Sequence, residues 1–430
     1  MRRVTAFVFW ALLFAAAVPA VPAESHDFID TAPARQQWFD EIVDLARPDR
    51  LVSSQVISGG GAPAVEVRID HQLGNRYHIF LRHSSPPAEL AGPGTVVVRQ
   101  RRFDGAIDQM KVFLQHDEGT FFRLRPRPNR RTLEMDLYLA GSEFYRDVTV
   151  PISLERAVRA PISEIQRLTA GIVDWEVARP HVDRPEYAAV AEIVSRVRRE
   201  LPRLADADDG AMGTDGSIVS IESLTALDGP PGFNCSGFAK WIVDGLYQSQ
   251  TGDLIPIERL KEKHLDHRGT RWSRRVEETR DPYFGLDWTR NLARELYAAD
   301  RRTRAADIDP EARDVRSVPT ARYREDVGFP VEDLRGILYW LAVKEPGMIY
   351  LGSVNGPSDG DGTHRQHSHV VVLLPYFTDD GRFHSVVMER TVETGLEQLI
   401  ERSAEEFIHL VRIDGTIPFE TPERSRQSAR

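Results

Sequence analysis

The sequence predicts an α+β protein in which an all-β, sandwich-like domain and a helical connector precede a larger mixed unit. Three observations carry that prediction. Residues 64–153 alternate apolar and polar side chains at period two, residues 161–204 switch to helical spacing, and from Gly216 onward strand and helix patterns interleave. A length of 430 residues allows two or three domains with cores large enough to need no covalent staples. With 65 acidic and 55 basic residues the formal charge is -10, which argues against a nucleic-acid partner.

Met1 to Ala23 opens with Arg2 and Arg3, continues as an apolar run from Val4 to Val18, and closes on the small residues Val21-Pro22-Ala23. This is the layout of a secretory signal cleaved near Ala23, and it predicts a periplasmic or extracellular protein. The run is about 15 residues, short of the roughly 20 that a spanning helix needs, so no membrane insertion is expected. Residues 24–60 form an N-terminal segment whose Gln36–Ala46 stretch reads as helix.

Residues 61–155 hold the β domain. Its strands are read from runs such as Val65-Glu66-Val67-Arg68, Thr95-Val96-Val97-Val98 and Leu133-Glu134-Met135-Asp136, separated by Gly, Asn or Pro. About seven strands in that pattern suggest an antiparallel sandwich or small barrel. Residues 156–215 read as the connector, with Ile162, Ile165, Leu168 and Ile172 on one stripe and Val190, Ile193, Val197 and Leu201 on another. Asp206-Ala207-Asp208-Asp209-Gly210 looks superficially like a calcium loop, but it lacks the far-end carboxylate and reads as a polar turn.

The chemistry lies in residues 216–425. Cys235 is the only cysteine, so no internal disulfide exists, and an unpaired thiol in an exported protein is an intermolecular partner, a reactive group or a buried inert side chain. It follows Pro230-Pro231-Gly232-Phe233-Asn234 and precedes the apolar stripe Phe238, Trp241, Ile242 and Leu246. Asn234 suits the N-cap, so Cys235 falls in the first turn, where the positive helix end favours thiolate over thiol. Ser236 and Gly237 keep bulk away from the sulfur. A thiolate nucleophile needs a base, normally histidine, held by a third polar group.

The histidines lie in Thr363-His364-Arg365-Gln366-His367-Ser368-His369, ahead of the apolar run Val370–Leu374. His369 opens the strand, and strict alternation would put His367 on the same face. The next strand, Phe383–Arg390, offers Glu389 or His384 as the orienting group. His364, His367 and His369 could also supply metal ligands, but alternation leaves only two on one face, so no metal or other cofactor is expected.

These residues resemble the NlpC-type papain-like cysteine peptidases of bacterial cell walls. The carriers are FNCSGFAKW, then HSHVVVLL, then GRFHSVVMERT, and the resemblance covers about residues 216–415. It implies Cys235 as nucleophile, His369 as base and Glu389 as third group, the last a departure from that family's commoner histidine; His367 and His384 are the alternates. It also implies hydrolysis of an amide bond in a peptidoglycan stem peptide. A transglutaminase-like acyltransferase or a non-catalytic wall-binding protein would use the same fold. Cys235 and His369 lie 134 positions apart, about twice the separation in a minimal member, so residues 251–340 read as an insertion. Within it, Asp281–Arg290 reads as a lid or substrate wall, which puts Asp287 and Trp288 beside Ser236 as candidate substrate-binding residues.

Overall fold

The computed structural model describes residues 28–43, 54–58, 63–84, 90–264, 281–358 and 364–423. The signal-like segment lies outside them. Helix α1 (Ala32–Val43) is followed by eight strands in sequence order: β1 (Ser54–Ile57), β2 (Val65–Gln72), β3 (Asn75–Arg82), β4 (Val96–Arg101), β5 (Ile107–Phe113), β6 (Phe121–Pro126), β7 (Leu133–Leu139) and β8 (Ser142–Val150). Each pairs antiparallel with its neighbours, giving one eight-stranded meander.

The expected sandwich of two facing sheets is therefore corrected to a single sheet. Its apolar face, with Phe80, Val96, Met110, Phe122 and Leu137 fully buried, is covered by helices. These are α1, α2 (Leu154–Arg159) and α3 (Ile162–Thr169). Alternation reports that one face of a sheet is buried, and it is silent about whether strands or helices bury it. Arg35 on α1 is fully buried and ties the cover together. Its guanidinium donates to the carbonyls of Val158 and Ala160 and pairs with Asp30 at 3.0 Å.

The predicted connector divides between two bodies. Its first helices, through α4 (Trp175–Ala178), lie on the meander side, whereas α5 (Pro185–Glu200) packs on the second sheet. A small hairpin, β9 (Ala211–Met212) and β10 (Ile218–Val219), leads to α6 (Cys235–Thr251), α7 (Ile257–Leu260) and α8 (Phe284–Arg301). The remainder is β11 (Phe329–Pro330), α9 (Leu334–Lys344), β12 (Met348–Pro357), β13 (Arg365–Phe377), β14 (Phe383–Glu389), β15 (Val392–Gly395), α10 (Leu396–Arg402) and β16 (Phe407–Asp414). The second sheet has the order β11-β16-β12-β13-β14-β15, antiparallel throughout.

Helices α6 and α8 lie against each other and against β13. Within residues 251–340, α8 is thus part of the core; Leu286, Trp288 and Leu292 are buried to 2% exposure or less. The two bodies share apolar packing through Tyr339, whose hydroxyl donates to the Val177 carbonyl and accepts from Gln115.

Candidate active site

The Asn234 side chain accepts a hydrogen bond from the Gly237 N–H at 2.8 Å, starting α6 so that Cys235 is its first residue. Gly237 is required by space, because a Cβ there would come within 1.8 Å of the Gly210 carbonyl oxygen. The loop carrying Asp206 to Gly210 is therefore pressed against the first turn of α6. The rest of the helix is anchored deep in the protein by Phe238, Trp241, Ile242 and Leu246. One turn on, Lys240 and Asp244 form a fully buried ion pair at 2.5 Å, and the second Asp244 oxygen accepts from the Ile255 N–H.

His369, on β13, stands beside Cys235, close enough for its ring to hold the thiol down. Its Nε2 donates to Glu389 Oε2 at 2.5 Å, which leaves Nδ1 as the ring nitrogen for the sulfur. Glu389 ends β14 and is buried; its Oε2 also accepts from Arg402 on α10, and Thr394 on β15 lies near enough to lower its carboxyl. Two further groups reach the sulfur, the Val370 N–H and the Ser236 hydroxyl.

The charges of the trio reinforce one another. Burial alone would raise the thiol, but the hydrogen bond and positive charge of His369 outweigh it and hold Cys235 below its ordinary range. For His369, burial works against the charged form, and the hydrogen bonds and negative charges of Cys235 and Glu389 overcome it, raising the imidazole to about 9. Burial also opposes ionisation of Glu389, yet His369, Arg402 and Thr394 bring it down to about 2. These directions favour a thiolate–imidazolium pair backed by a carboxylate over a neutral pair.

His367 is elsewhere. Along β13, His369 pairs with Val354 and His367 with Asn355, so Ser368 is an extra residue looped out of register. This bulge breaks the alternation that would have set both imidazoles on one face. His367 is buried, with Nδ1 3.0 Å from the Ser353 hydroxyl and Nε2 2.9 Å from the Asp326 carbonyl, and burial lowers it to about 3. His384 is exposed at the start of β14, stacked on Tyr376 at 5.6 Å, away from the trio. Among the described residues no group of three His, Cys, Asp or Glu side chains is arranged to hold a metal ion.

The substrate-wall expectation for Asp287 and Trp288 is corrected. Trp288 is fully buried and donates from Nε1 to the Ser236 carbonyl at 2.9 Å, and Asp287 is 4% exposed in the first turn of α8. The Trp288 bond helps seat α8 against the nucleophile helix. Ser236 is also buried, and its hydroxyl serves the sulfur.

Residues that sequence reasoning missed include Arg402, which grips Glu389, and Arg390, which lies near Cys235 and makes a bidentate pair with Asp206 at 2.8 Å. Arg390 and Thr391 form the tight turn between β14 and β15, with φ of 43° and 64°. Left-handed backbone in a β-branched residue is strained, and here it adjoins the site.

Comparison with known proteins reaches mainly the other end of the chain. A family described as Domain of unknown function (DUF8515) matches residues 24–177. That span takes in α1, the meander and the helices that cover it, and stops before α5. No curated protein and no solved structure matches the chain.

Proposed function

We propose that the protein is an exported cysteine hydrolase that cleaves an amide bond in the stem peptides of peptidoglycan. The observation that supports this reading most is the Cys235–His369–Glu389 arrangement at the first turn of a buried helix, with each pKa displaced in the direction catalysis needs. The cell-wall substrate rests on the resemblance to NlpC-type peptidases and on the signal-like N-terminus.

In this mechanism the Cys235 thiolate attacks the scissile carbonyl carbon, forming a C–S bond. His369 gives its proton to the departing amine nitrogen as the C–N bond breaks, leaving a thioester. The imidazole, now neutral, takes a proton from water as that water attacks the thioester. Collapse releases the carboxylate product and restores the thiolate beside the imidazolium. Glu389 holds the ring by Nε2 and offsets its charge, and Arg402 keeps Glu389 ionised.

The test is digestion of purified peptidoglycan fragments, with mass spectrometry of the products. One new amine and one new carboxylate per cleavage are expected, lost in Cys235→Ala. Transfer of the acyl group to added amines in preference to water would assign an acyltransferase instead. Intact fragments beside a Cys235 that reacts readily with electrophiles would overturn the substrate and leave the chemistry.

A further inference from the structure

The eight-stranded meander sends every second turn to the same end. That end carries the β2–β3 turn at Leu73-Gly74, the β4–β5 turn at Arg102–Gly105 and the β6–β7 turn at Arg127–Thr132. Neighbouring strands lie about 4.8 Å apart, so successive turns on this edge are separated by roughly 10 Å. The first two are joined directly, the Arg102 N–H donating to the Gly74 carbonyl at 3.0 Å.

Two large apolar side chains project from this edge. Leu73 is 98% exposed and Phe103 is 81% exposed, the highest values among the exposed large hydrophobic residues described. Leu73 is disfavoured on a second count. It occupies the first position of a two-residue hairpin turn at φ 45°, followed by Gly74 at φ 77°, where asparagine or glycine is the ordinary choice. Folding gains nothing from a leucine held in water on left-handed backbone.

Arginines surround the pair. Arg102, Arg130 and Arg131 are exposed and make no ion pair among the described residues. Arg101 pairs with Asp104 while standing 4.9 Å from the Phe103 ring, and Arg127 is spent on the Asp147 carbonyl and Thr149. Asp104, Asp108 and Glu134 near these turns are paired with Arg101, Arg99 and Arg125, and Asp70 and Asp147 also lie close by, so Arg102, Arg130 and Arg131 leave the edge with a small positive excess on a chain whose formal charge is -10.

We infer that this edge is a peripheral docking surface for an anionic lipid bilayer, with Leu73 and Phe103 entering the interface and the arginines resting on headgroup charge. A polyanion without an apolar phase would use the arginines and leave the two apolar tips in water; a bilayer uses both. No spanning helix is needed, and none among the described residues is long and apolar enough. This inference is independent of the chemistry at Cys235.

The experiment is co-sedimentation with vesicles of phosphatidylcholine, with or without about 30% phosphatidylglycerol. All variants keep the same chain, so any contribution of residues 1–23 cancels. Binding should require phosphatidylglycerol, weaken with salt, and fall at least about tenfold in Leu73→Ser/Phe103→Ser and in Arg102→Glu/Arg130→Glu/Arg131→Glu. Leu73→Asn should bind less while melting at the same or a higher temperature, which separates docking from folding. Brominated lipid should quench a Phe103→Trp variant beyond the wild-type background. Vesicle binding unchanged in Leu73→Ser/Phe103→Ser would overturn the inference, as would no binding to anionic vesicles. Retention on heparin that depends on the arginines and ignores the apolar tips, without vesicle binding, would reassign the edge to soluble polyanions.

Discussion

Two histidines separated by one residue end in opposite states, and the regions that receive them explain why. His367 enters a closed cluster with Ser353, and near it Arg290, Asp314 and His409 are buried together. There burial and nearby positive charge keep the imidazole neutral, near 3. His369 faces the sulfur and Glu389, and its two anionic neighbours hold it charged to about 9. The residue that separates the environments is Ser368, through the bulge. Proximity to a catalytic motif therefore says little about a histidine's role, and the charges facing each ring decide it.

The largest effect expected on the reactive side of this comparison comes from Cys235→Ala or His369→Ala. Each should lower peptide cleavage by about a thousandfold or more. His367→Gln should leave alkylation of Cys235 within about twofold of wild type while lowering stability by about 1–3 kcal/mol, since Ser353 loses a buried partner. Equal loss of reactivity in both histidine variants would erase the distinction.

On the structural side, Asp314→Ala strips the buried Arg290 of its closest carboxylate, 2.7 Å away. Chemical denaturation should report a loss of about 3–5 kcal/mol. Glu389→Gln keeps the shape and removes the charge that supports the imidazolium. Turnover should drop by about 10- to 100-fold, and the alkaline limit of the thiolate–imidazolium pair should move below 9. Loss of function in His384→Ala with none in Glu389→Gln would transfer the orienting role.

Smaller pH effects on stability run in opposite directions at the two rings. His369, raised from an ordinary 6.5 to about 9, adds stability that is complete below 6.5 and fades as pH rises through 9. His367, lowered from 6.5 to about 3, costs stability as pH falls from 6.5 toward 3, because the unfolded chain then binds the extra proton. Denaturation midpoints across pH should show His369→Ala losing the alkaline slope and His367→Gln losing part of the acid slope.

The sequence made the nucleophile legible because its main determinants are local: the Asn234 cap and the apolar helix fall within a few residues, whereas the need for Gly237 comes from the distant Gly210 carbonyl. His369 and Glu389 were readable as strand positions beside it. The bulge at Ser368 was hidden, since it is defined by pairing with Val354 and Asn355 on another strand. Arg402 was hidden for the same reason, reaching Glu389 from a separate helix. In α8 the polar residues Asp287, Arg290 and Asn291 are buried, so its amphipathic pattern looked like an exposed wall. The meander's strands were read well apart from β1, whose pattern is mostly exposed, and the covering helices could not be inferred from alternation.

The central claim is that Cys235 ionises more readily than an ordinary thiol because His369 is charged beside it. Its most direct measurement is the rate of Cys235 alkylation by iodoacetamide as a function of pH, in wild type and His369→Ala. The account predicts appreciable reaction well below the ordinary thiol range, with a second change near 9 as His369 loses its proton, and in the variant one titration displaced upward. A single ordinary thiol titration in wild type, unchanged by His369→Ala, would contradict it.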